Sequence, residues 1–213
     1  TTDTFTVVLG AQPASNVVIS VTSNDTTEAT VSPATLTFTS GNWNSAQTVT
    51  VTGVNDNLVD GTQTSTLTLS VVDGSSDNNF DPVNDQTVSA TTTDNDTAGF
   101  TVVQSGGSTS VAESGSTDTF TVVLDAQPTS NVVISVTSGD TGEATVSPAT
   151  LTFTSGNWNS AQTVTVTGVD DSLVDGSQTT AATISVVDAS SDNDFDGIAN
   201  QTTNIETTDN DSV

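Results

Sequence analysis

Apolar residues alternate with threonine and serine in many short runs along this chain. One run in the second half places Phe120, Val122 and Leu124 on one side and Thr121 and Val123 on the other. Successive side chains of a β-strand point to opposite faces, so this period of two predicts strands. Turn residues separate the runs at intervals of about 8–12 residues, which is typical of a β-sandwich. No run has helical periodicity.

The pattern predicts eight strands in the second half of the chain, over residues 99–104, 110–113, 118–124, 131–137, 150–154, 162–169, 179–187 and 201–207. Alternation directs one set of apolar side chains into a core, namely Val132, Ile134, Val136, Leu151, Phe153, Val164, Val166, Ile184 and Val186. It directs Thr163, Thr165 and Thr167 outward. The predicted fold is all-β, with tandem immunoglobulin-like antiparallel β-sandwiches.

The two halves of the chain are copies of one another. Trp43 recurs as Trp158 and Phe5 as Phe120, in each case 115 positions later and without an insertion or deletion. We therefore expect two domains, residues 1–98 and residues 99–213, of which the second is a complete 115-residue unit. The first lacks a counterpart of residues 99–115, its leading strand. Either the sequence is a window cut from a longer array, which we expect, or another chain supplies that strand.

The charge composition excludes several classes of function. The chain has no Lys, Arg or His, and 26 Asp and Glu residues give it a formal net charge of −26. Nucleic-acid and anionic-lipid binding rely on basic side chains, so neither is expected. Without His or Cys there is no Ser-His-Asp or Cys-His catalytic system and no ordinary zinc site. A carboxylate pair alone would need a cleft that short strands and small turns rarely form, so the chain is not expected to be an enzyme. No apolar run is long enough for membrane insertion.

Many of the acidic residues fall in loops that should meet at one end of each sandwich. If successive strands run antiparallel, alternate loops share an end, and the exit from the last strand joins them. In the second copy this end collects Glu113, Asp140, Glu143, Asp170, Asp171, Asp175, Asp209 and Asp211. In the first copy it collects Asp56, Asp60, Asp94 and Asp96. Calcium takes oxygen ligands of this kind. The sequence therefore predicts a calcium site here; the alternative is a solvated acidic rim with diffuse sodium.

The run TLTFTSGNWNSAQTVTVTGVDDSLVD at residues 150–175, with Glu113 in SVAESG and the terminal TTDND, resembles the Calx-beta family. The likeness is greatest to the tandem Calx-beta-like repeats of large bacterial surface and secreted proteins. In calcium-binding members the ligands come from an early glutamate, a loop after the fifth strand and an acidic run at the C-terminal end. The resemblance therefore implies the ligands Glu113, Asp170, Asp171, Asp175, Asp209 and Asp211. Gly176, Ser177 and Gln178 stand where the family often has further acidic residues.

A second acidic motif lies near the other end of the second copy. Asp192, Asp194 and Asp196 precede Gly197 with the D-x-D-x-D-G spacing of calcium loops, but Thr203 stands where a bidentate glutamate would follow. A calcium role is one interpretation. The other is that Phe195 enters the core while the acidic residues form turns around it.

These features favour a structural repeat module of a bacterial extracellular fibre, stalk or surface layer. We expect calcium at the inter-repeat tips to make it rigid, neighbouring repeats or identical chains to be its partners, and its location to be extracellular or on the cell surface. It could also assemble into filaments, with strand donation as one route. The alternative is an adhesin repeat that binds glycan, ice or another cell surface through Trp43 and Trp158 or the outward threonines, although the tryptophans are better explained as plugs of the sandwich.

Overall fold

The structure, a computed structural model, describes residues 1–212 and is built of β-sandwiches in which all but one of the strand pairs are antiparallel. It divides into two compact units. Unit 1 comprises Thr1–Asp56 and Gly61–Asp94, and unit 2 comprises Asn57–Asp60 and the chain from Asn95 onward. Within unit 2, Leu58 forms an isolated parallel bridge with Gln127. The short segment Asn57–Asp60 therefore groups with the second copy of the repeat rather than with the first.

Unit 1 contains seven strands: β1 (Thr2–Val7), β2 (Val17–Ser23), β3 (Ala29–Ser32), β4 (Thr35–Phe38), β5 (Gln47–Gly53), β6 (Gln63–Val71) and β7 (Gln86–Thr92). They form one sheet in the order β1-β5-β3 and another in the order β4-β2-β6-β7. Val17, Phe38 and Val49 are fully buried in its core.

Unit 2 contains nine strands: β8 (Phe100–Gln104), β9 (Thr109–Ala112), β10 (Thr117–Leu124), β11 (Val132–Ser138), β12 (Ala144–Ser147), β13 (Thr150–Phe153), β14 (Gln162–Gly168), β15 (Gln178–Val186) and β16 (Gln201–Thr208). The two sheets have the orders β12-β14-β10-β8 and β13-β11-β15-β16-β9. The chain changes sheet between β8 and β9, where Gly106 and Gly107 have φ of 61° and 85° that other residues rarely adopt.

The pairing of β9 with β16 is parallel, whereas the other strand pairs of unit 2 are antiparallel. Ile205 lies opposite Thr109 and Thr208 lies opposite Ala112. Both strands therefore end at the same edge of the sheet. This pairing brings the residues that follow β9 next to those that follow β16.

The alternating pattern predicted this fold well. All eight predicted strands are present, and their ends differ from the prediction by no more than one residue. Phe120, Phe153 and Ile184 are fully buried, while Val186 is only partly buried and Thr163 is exposed. The strand β12 was missed, because four residues that end before Pro148 contain too little alternation to separate a strand from a turn.

Short 3-10 helical turns, such as Asp188–Ser190 and Asn193–Phe195, complete unit 2. Across residues 1–212, no helix has the length and apolar character that a bilayer crossing requires.

Phe195→Ala should destabilise unit 2 by about 3–5 kcal/mol, since the Phe195 side chain is fully buried. The matched substitution Phe80→Ala in unit 1 should cost less, because Phe80 is only partly buried. Each unit holds one tryptophan, so urea unfolding can be followed through Trp158 in a Trp43→Phe chain and through Trp43 in a Trp158→Phe chain. Equal losses of unfolding free energy from Phe195→Ala in unit 2 and Phe80→Ala in unit 1 would contradict the difference in packing.

Candidate metal centre

The acidic end of unit 2 is formed by the loops after β9, β11 and β14 and by the residues after β16. The parallel β9–β16 pair organises it. The backbone N–H of Glu113, the first residue after β9, donates to the carbonyl of Thr208 at 3.1 Å. Asp209 is the next residue along the chain from Thr208. The side chains of Glu113 and Asp209 thus start from neighbouring strand ends.

Three carboxylates converge at this end. Glu113, Asp209 and Asp211 each place one oxygen within 4.8 Å of the others, and they are the one group of three or more potential metal-binding acidic, His or Cys side chains found in residues 1–212. Glu113 is 1% exposed, and Asp209 and Asp211 are partly buried. The chain has no Lys, Arg or His to compensate them. Three like charges held this close are unfavourable unless a cation lies between them or protons neutralise them.

Two carboxylate oxygens at this end are buried and lack hydrogen bonds. They are Oε2 of Glu143 and Oδ2 of Asp211, neither of which has a hydrogen-bond partner within the described part of the chain. Buried polar atoms are rarely left unpaired in folded proteins. Unpaired carboxylate oxygens next to a carboxylate cluster are the atoms that a hard cation would bind.

Backbone N–H groups hold the cluster in shape. Asp209 accepts at Oδ1 from the N–H of Asp211 at 2.6 Å and at Oδ2 from the N–H of Gly176 at 2.8 Å. Asn210 donates its N–H to Oε2 of Glu113 at 3.3 Å and its side-chain amide to Oδ1 of Asp170 at 2.8 Å. The loop after β14 is therefore tied to the residues after β16.

Burial and charge crowding perturb the acids here. Burial raises the pKa of Glu113, and the nearby carboxylates of Asp209, Asp171 and Asp175 raise it further despite the hydrogen bond from Asn210. Burial likewise raises the pKa of Glu143 and of Asp211, each with added repulsion from neighbouring acids. In contrast, the N–H groups of Asp211 and Gly176 lower the pKa of Asp209. The raised pKa values of Glu113, Glu143 and Asp211 therefore mean that full ionisation of the acids at this end of unit 2 is unfavourable.

Of the predicted residues, Glu113, Asp209 and Asp211 form the cluster itself. Asp170, Asp171 and Asp175 lie close enough to raise the pKa of one or more of its members, and Glu113 in turn raises the pKa of Glu143. Asp140 raises the pKa of Glu143 but uses its own Oδ1 to accept from the N–H of Gly142 at 2.9 Å. Sequence reasoning missed Asn210, whose place between two aspartates in the terminal DND was the available signal. The assignment of these residues to a metal remains a prediction.

The first copy has a partial set of the same residues. Asp94 accepts from the N–H of Gly61 at 2.9 Å, as Asp209 does from Gly176. Asp56, Asp60 and Asp96 correspond to Asp171, Asp175 and Asp211. No group of three converging acidic side chains was found among these residues in the described chain. The repeat position of Glu113 in the first copy falls before residue 1.

Asp192, in the second acidic motif, organises a turn. It is 4% exposed, and its Oδ2 accepts from the hydroxyl of Thr129 at 2.8 Å and the N–H of Ser130 at 2.7 Å. Its Oδ1 accepts from the N–H of Asp194 at 3.2 Å. Burial raises the pKa of Asp192, but these hydrogen bonds outweigh it, so the pKa is lowered overall. Asp194 and Asp196 are exposed, and Phe195 is buried in the core.

The two tryptophans lie at corresponding places in the two copies. Trp43 and Trp158 are each partly buried and pack against the core of their own unit. Their carbonyl groups accept hydrogen bonds from the N–H of Leu9 and of Leu124, respectively, both at 3.1 Å. These contacts favour the interpretation of the tryptophans as plugs of the sandwiches.

The raised pKa values predict an unusual pH dependence for the metal-free protein. An acid whose pKa is higher in the folded state binds more protons when folded, so its contribution lowers stability as the pH rises from the unfolded pKa, about 4.5, through the folded value. In chelator, Glu113→Gln should therefore stabilise unit 2 at pH 7 and have little effect at pH 4. Urea unfolding at both pH values measures this, with Glu206→Gln on the exposed face of β16 as control. A destabilising effect of Glu113→Gln at pH 7 would contradict the crowding of the cluster.

Asp192→Ala should cost unit 2 about 1.5–3 kcal/mol at pH 7, because it removes a charged acceptor of three hydrogen bonds. Since the pKa of Asp192 is lowered on folding, its stabilisation is present above the unfolded pKa of about 3.8 and is lost as the pH falls through the folded value. Unfolding curves from pH 2 to pH 7 test both points. Asp188→Ala, on the exposed turn nearby, is the matched control. A pH-independent effect would show that the loss comes from packing alone.

Comparison with known proteins gives no family for the chain. No protein-family model matches it, and no curated protein matches. Among solved structures, domains 4 and 5 of the S-layer protein SbsC share 20% identity at a TM-score of 0.40, covering 89% of this chain and 70% of that one. SbsC domains 1–6 share 19% identity at a TM-score of 0.41, covering 92% of this chain and 20% of that one. CBD12 from CALX1.2 shares 11% identity at a TM-score of 0.36, covering 86% of this chain and 73% of that one. These likenesses are distant, and they do not establish a family.

Proposed function

We propose that this chain is a structural repeat module of an extracellular fibre, stalk or surface layer, and that the acidic end of unit 2 binds calcium. One observation carries the metal proposal. The buried carboxylate of Glu113 lies with those of Asp209 and Asp211 in a chain that has no basic side chain. Neutralisation of this cluster at neutral pH must come from protons or from a cation in solution.

The chemistry of the cluster selects calcium over other metals. The available ligand atoms are carboxylate and carbonyl oxygens, and the chain has neither the Cys nor the His that zinc and copper favour. Calcium accepts about 6–8 oxygen ligands in irregular geometry, which suits side chains that come from several loops. Magnesium demands a near-ideal octahedron and keeps much of its water. The unpaired oxygens of Glu143 and Asp211 would complete the set.

A bound ion would act mechanically. Glu113 follows β9, Asp209 and Asp211 follow β16, and the loop after β14 is joined to Asp209 through the N–H of Gly176. An ion held by these carboxylates would tie together the places where three strands end. The residues that leave the unit after β16 would then start from a fixed position, which is the property that a repeat in an extended array needs.

Composition and ion availability support an extracellular setting. The chain contains no cysteine, so a disulfide cannot hold this end together. Calcium sites in extracellular modules bind at about 0.1–1 mM. Such sites are filled outside cells and nearly empty at cytosolic calcium levels. A module of this kind becomes rigid where it is displayed, and the duplicated 115-residue unit fits a repetitive structural role.

Calcium should stabilise unit 2, by about 2.7 kcal/mol at a concentration 100 times the dissociation constant. Thermal unfolding and isothermal titration calorimetry measure the effect. Glu113→Gln and Asp211→Asn should each reduce it strongly, because each removes a charged member of the cluster. Asp188→Asn, which removes an equal charge from an exposed turn outside the cluster, should leave it unchanged.

Comparing the stabilisation of unit 2 by calcium, sodium and magnesium distinguishes a specifically bound ion from diffuse counter-ions around the acidic end. Sodium at matched ionic strength should give little of the stabilisation, and magnesium should give less than calcium. An equal gain from all three, or an undiminished calcium response in Glu113→Gln, would mean that the acidic end is a solvated rim and would overturn the metal proposal.

A further inference from the structure

One short segment of unit 2 comes from the other copy of the repeat. Asn57–Asp60 belongs to the first copy in sequence, in the connection between β5 and β6, yet it is part of unit 2 in the structure. We call it the docking segment. The chain passes from one unit to the other on both sides of this segment and again after Asp94. The two units are therefore connected three times along the chain, whereas a single linker ordinarily joins tandem domains.

The docking segment pairs with the rest of unit 2 through its backbone. Leu58 forms a parallel bridge with Gln127, in the turn between β10 and β11. The N–H of Gln127 donates to the carbonyl of Asn57 at 2.7 Å, and the N–H of Val59 donates to the carbonyl of Gln127 at 3.2 Å. Because both backbone groups of Gln127 are used, the two hydrogen bonds fix the register of the docking segment.

Apolar contacts accompany this backbone pairing. Val59 packs against the core of unit 2 and is partly buried, as Leu58 is. The same two residues recur 115 positions later as Leu173 and Val174, whose side chains are 62% and 55% exposed. Identical residue pairs in corresponding loops thus have different environments. The burial of Leu58 and Val59 therefore comes from the docking contact and not from the sequence of the loop.

The turn that receives the docking segment is held in the same way in both copies. The side-chain amide of Gln127 donates to the carbonyl of Ser155 at 3.0 Å, and that of Gln12 donates to the carbonyl of Ser40 at 2.9 Å. Both glutamines stand in the sequence AQP, and the sequence LVDG that contains the apolar pair is also present in both copies. Each of the two copies thus carries a docking sequence and a turn of the kind that receives one.

We propose that the docking segment is an inter-repeat binding element. Through Leu58 and Val59, one repeat binds the turn at residues 126–128 of the repeat that follows it and stabilises the fold of that repeat. The partner that this turn fits is a further repeat of the same kind. The backbone of Gln127 sets the register, and Val59 extends the core of the receiving unit. Neighbouring repeats then contribute to one another's stability, as in other repeat proteins.

The composition of the chain favours this kind of contact. Without Lys, Arg or His, no ion pair between side chains can join successive repeats, and the 26 acidic residues repel one another. Backbone hydrogen bonds and apolar contacts remain, and both occur at the docking segment. The inference deepens the structural-repeat part of the proposed function and rests on it for its biological role, but the contacts themselves involve no metal.

The test compares the same double substitution at matched positions of the full chain. Leu58→Ala with Val59→Ala should raise the unfolding equilibrium constant of unit 2 about tenfold, because it removes partly buried apolar contacts. Leu173→Ala with Val174→Ala is the control and should leave unit 2 unchanged, because both side chains are exposed.

Urea unfolding in chelator measures these effects, so that a failure of the calcium proposal would leave the result unaffected. Trp158 reports unit 2 in a Trp43→Phe chain, and Trp43 reports unit 1 in a Trp158→Phe chain. The loss should appear in unit 2, although the substituted residues belong to the first copy in sequence.

Hydrogen exchange of the unsubstituted chain gives a second measurement. The amides of Gln127 and Val59 should exchange only as fast as unit 2 unfolds, because each donates a hydrogen bond across the docking contact. The amide of Val174, at the repeat position of Val59 and in an exposed loop, should exchange faster.

Three results would overturn the proposal: equal effects of the two double substitutions on unit 2, a loss of stability confined to unit 1, or exchange of the Gln127 and Val59 amides as fast as that of Val174. If the chain with Leu58→Ala and Val59→Ala does not fold, the exchange measurement decides alone.

Discussion

The parallel pairing of β9 with β16 determines both the core and the chemistry of unit 2. The chain can reach β16 from β8 only by changing sheet, and the glycines at 106 and 107 allow that turn. Once β9 is paired, Val111 closes the core and Glu113 stands beside Asp209. Packing and the acidic cluster thus depend on the same few backbone hydrogen bonds. In unit 1, within the described residues, β7 pairs only with β6.

Because the chain has no Lys, Arg or His, basic side chains cannot neutralise its carboxylates. Most of its carboxylates lie on the surface, where water and mobile ions screen them. A few, such as Asp192 and Asp209, are held by backbone N–H groups, which stabilise the charged form and lower the pKa. Glu113, Glu143 and Asp211 have too few such partners, and burial raises the pKa of each. This contrast between satisfied and unsatisfied acids distinguishes the candidate metal centre from the other acidic turns.

Sequence reasoning reached the acidic end through topology. The rule that alternate loops of an antiparallel sandwich share an end placed the loops of Glu113, Glu143 and Asp175 together, and the electrostatic coupling among them agrees with that placement. The loop rule could not show which of the acidic residues at this end lie together in the cluster. The loop rule gives Asp140 and Asp211 equal standing, but Asp211 lies in the cluster while Asp140 holds its own turn. It also left the D-x-D-x-D-G motif ambiguous, because the same spacing suits a calcium loop and a hydrogen-bonded turn.

By itself, the sequence determined the all-β class, the strands with clear alternation, the duplication and the inward side chains such as Phe120 and Phe153. These properties follow from local periodicity and from composition, which can be read from the amino-acid sequence without knowledge of tertiary contacts. Only the tertiary structure decided which edges are paired, which carboxylates lose their solvent and which oxygens are left without hydrogen bonds. Those depend on contacts between residues far apart in sequence, such as Glu113 and Asp209, and on the burial that those contacts create.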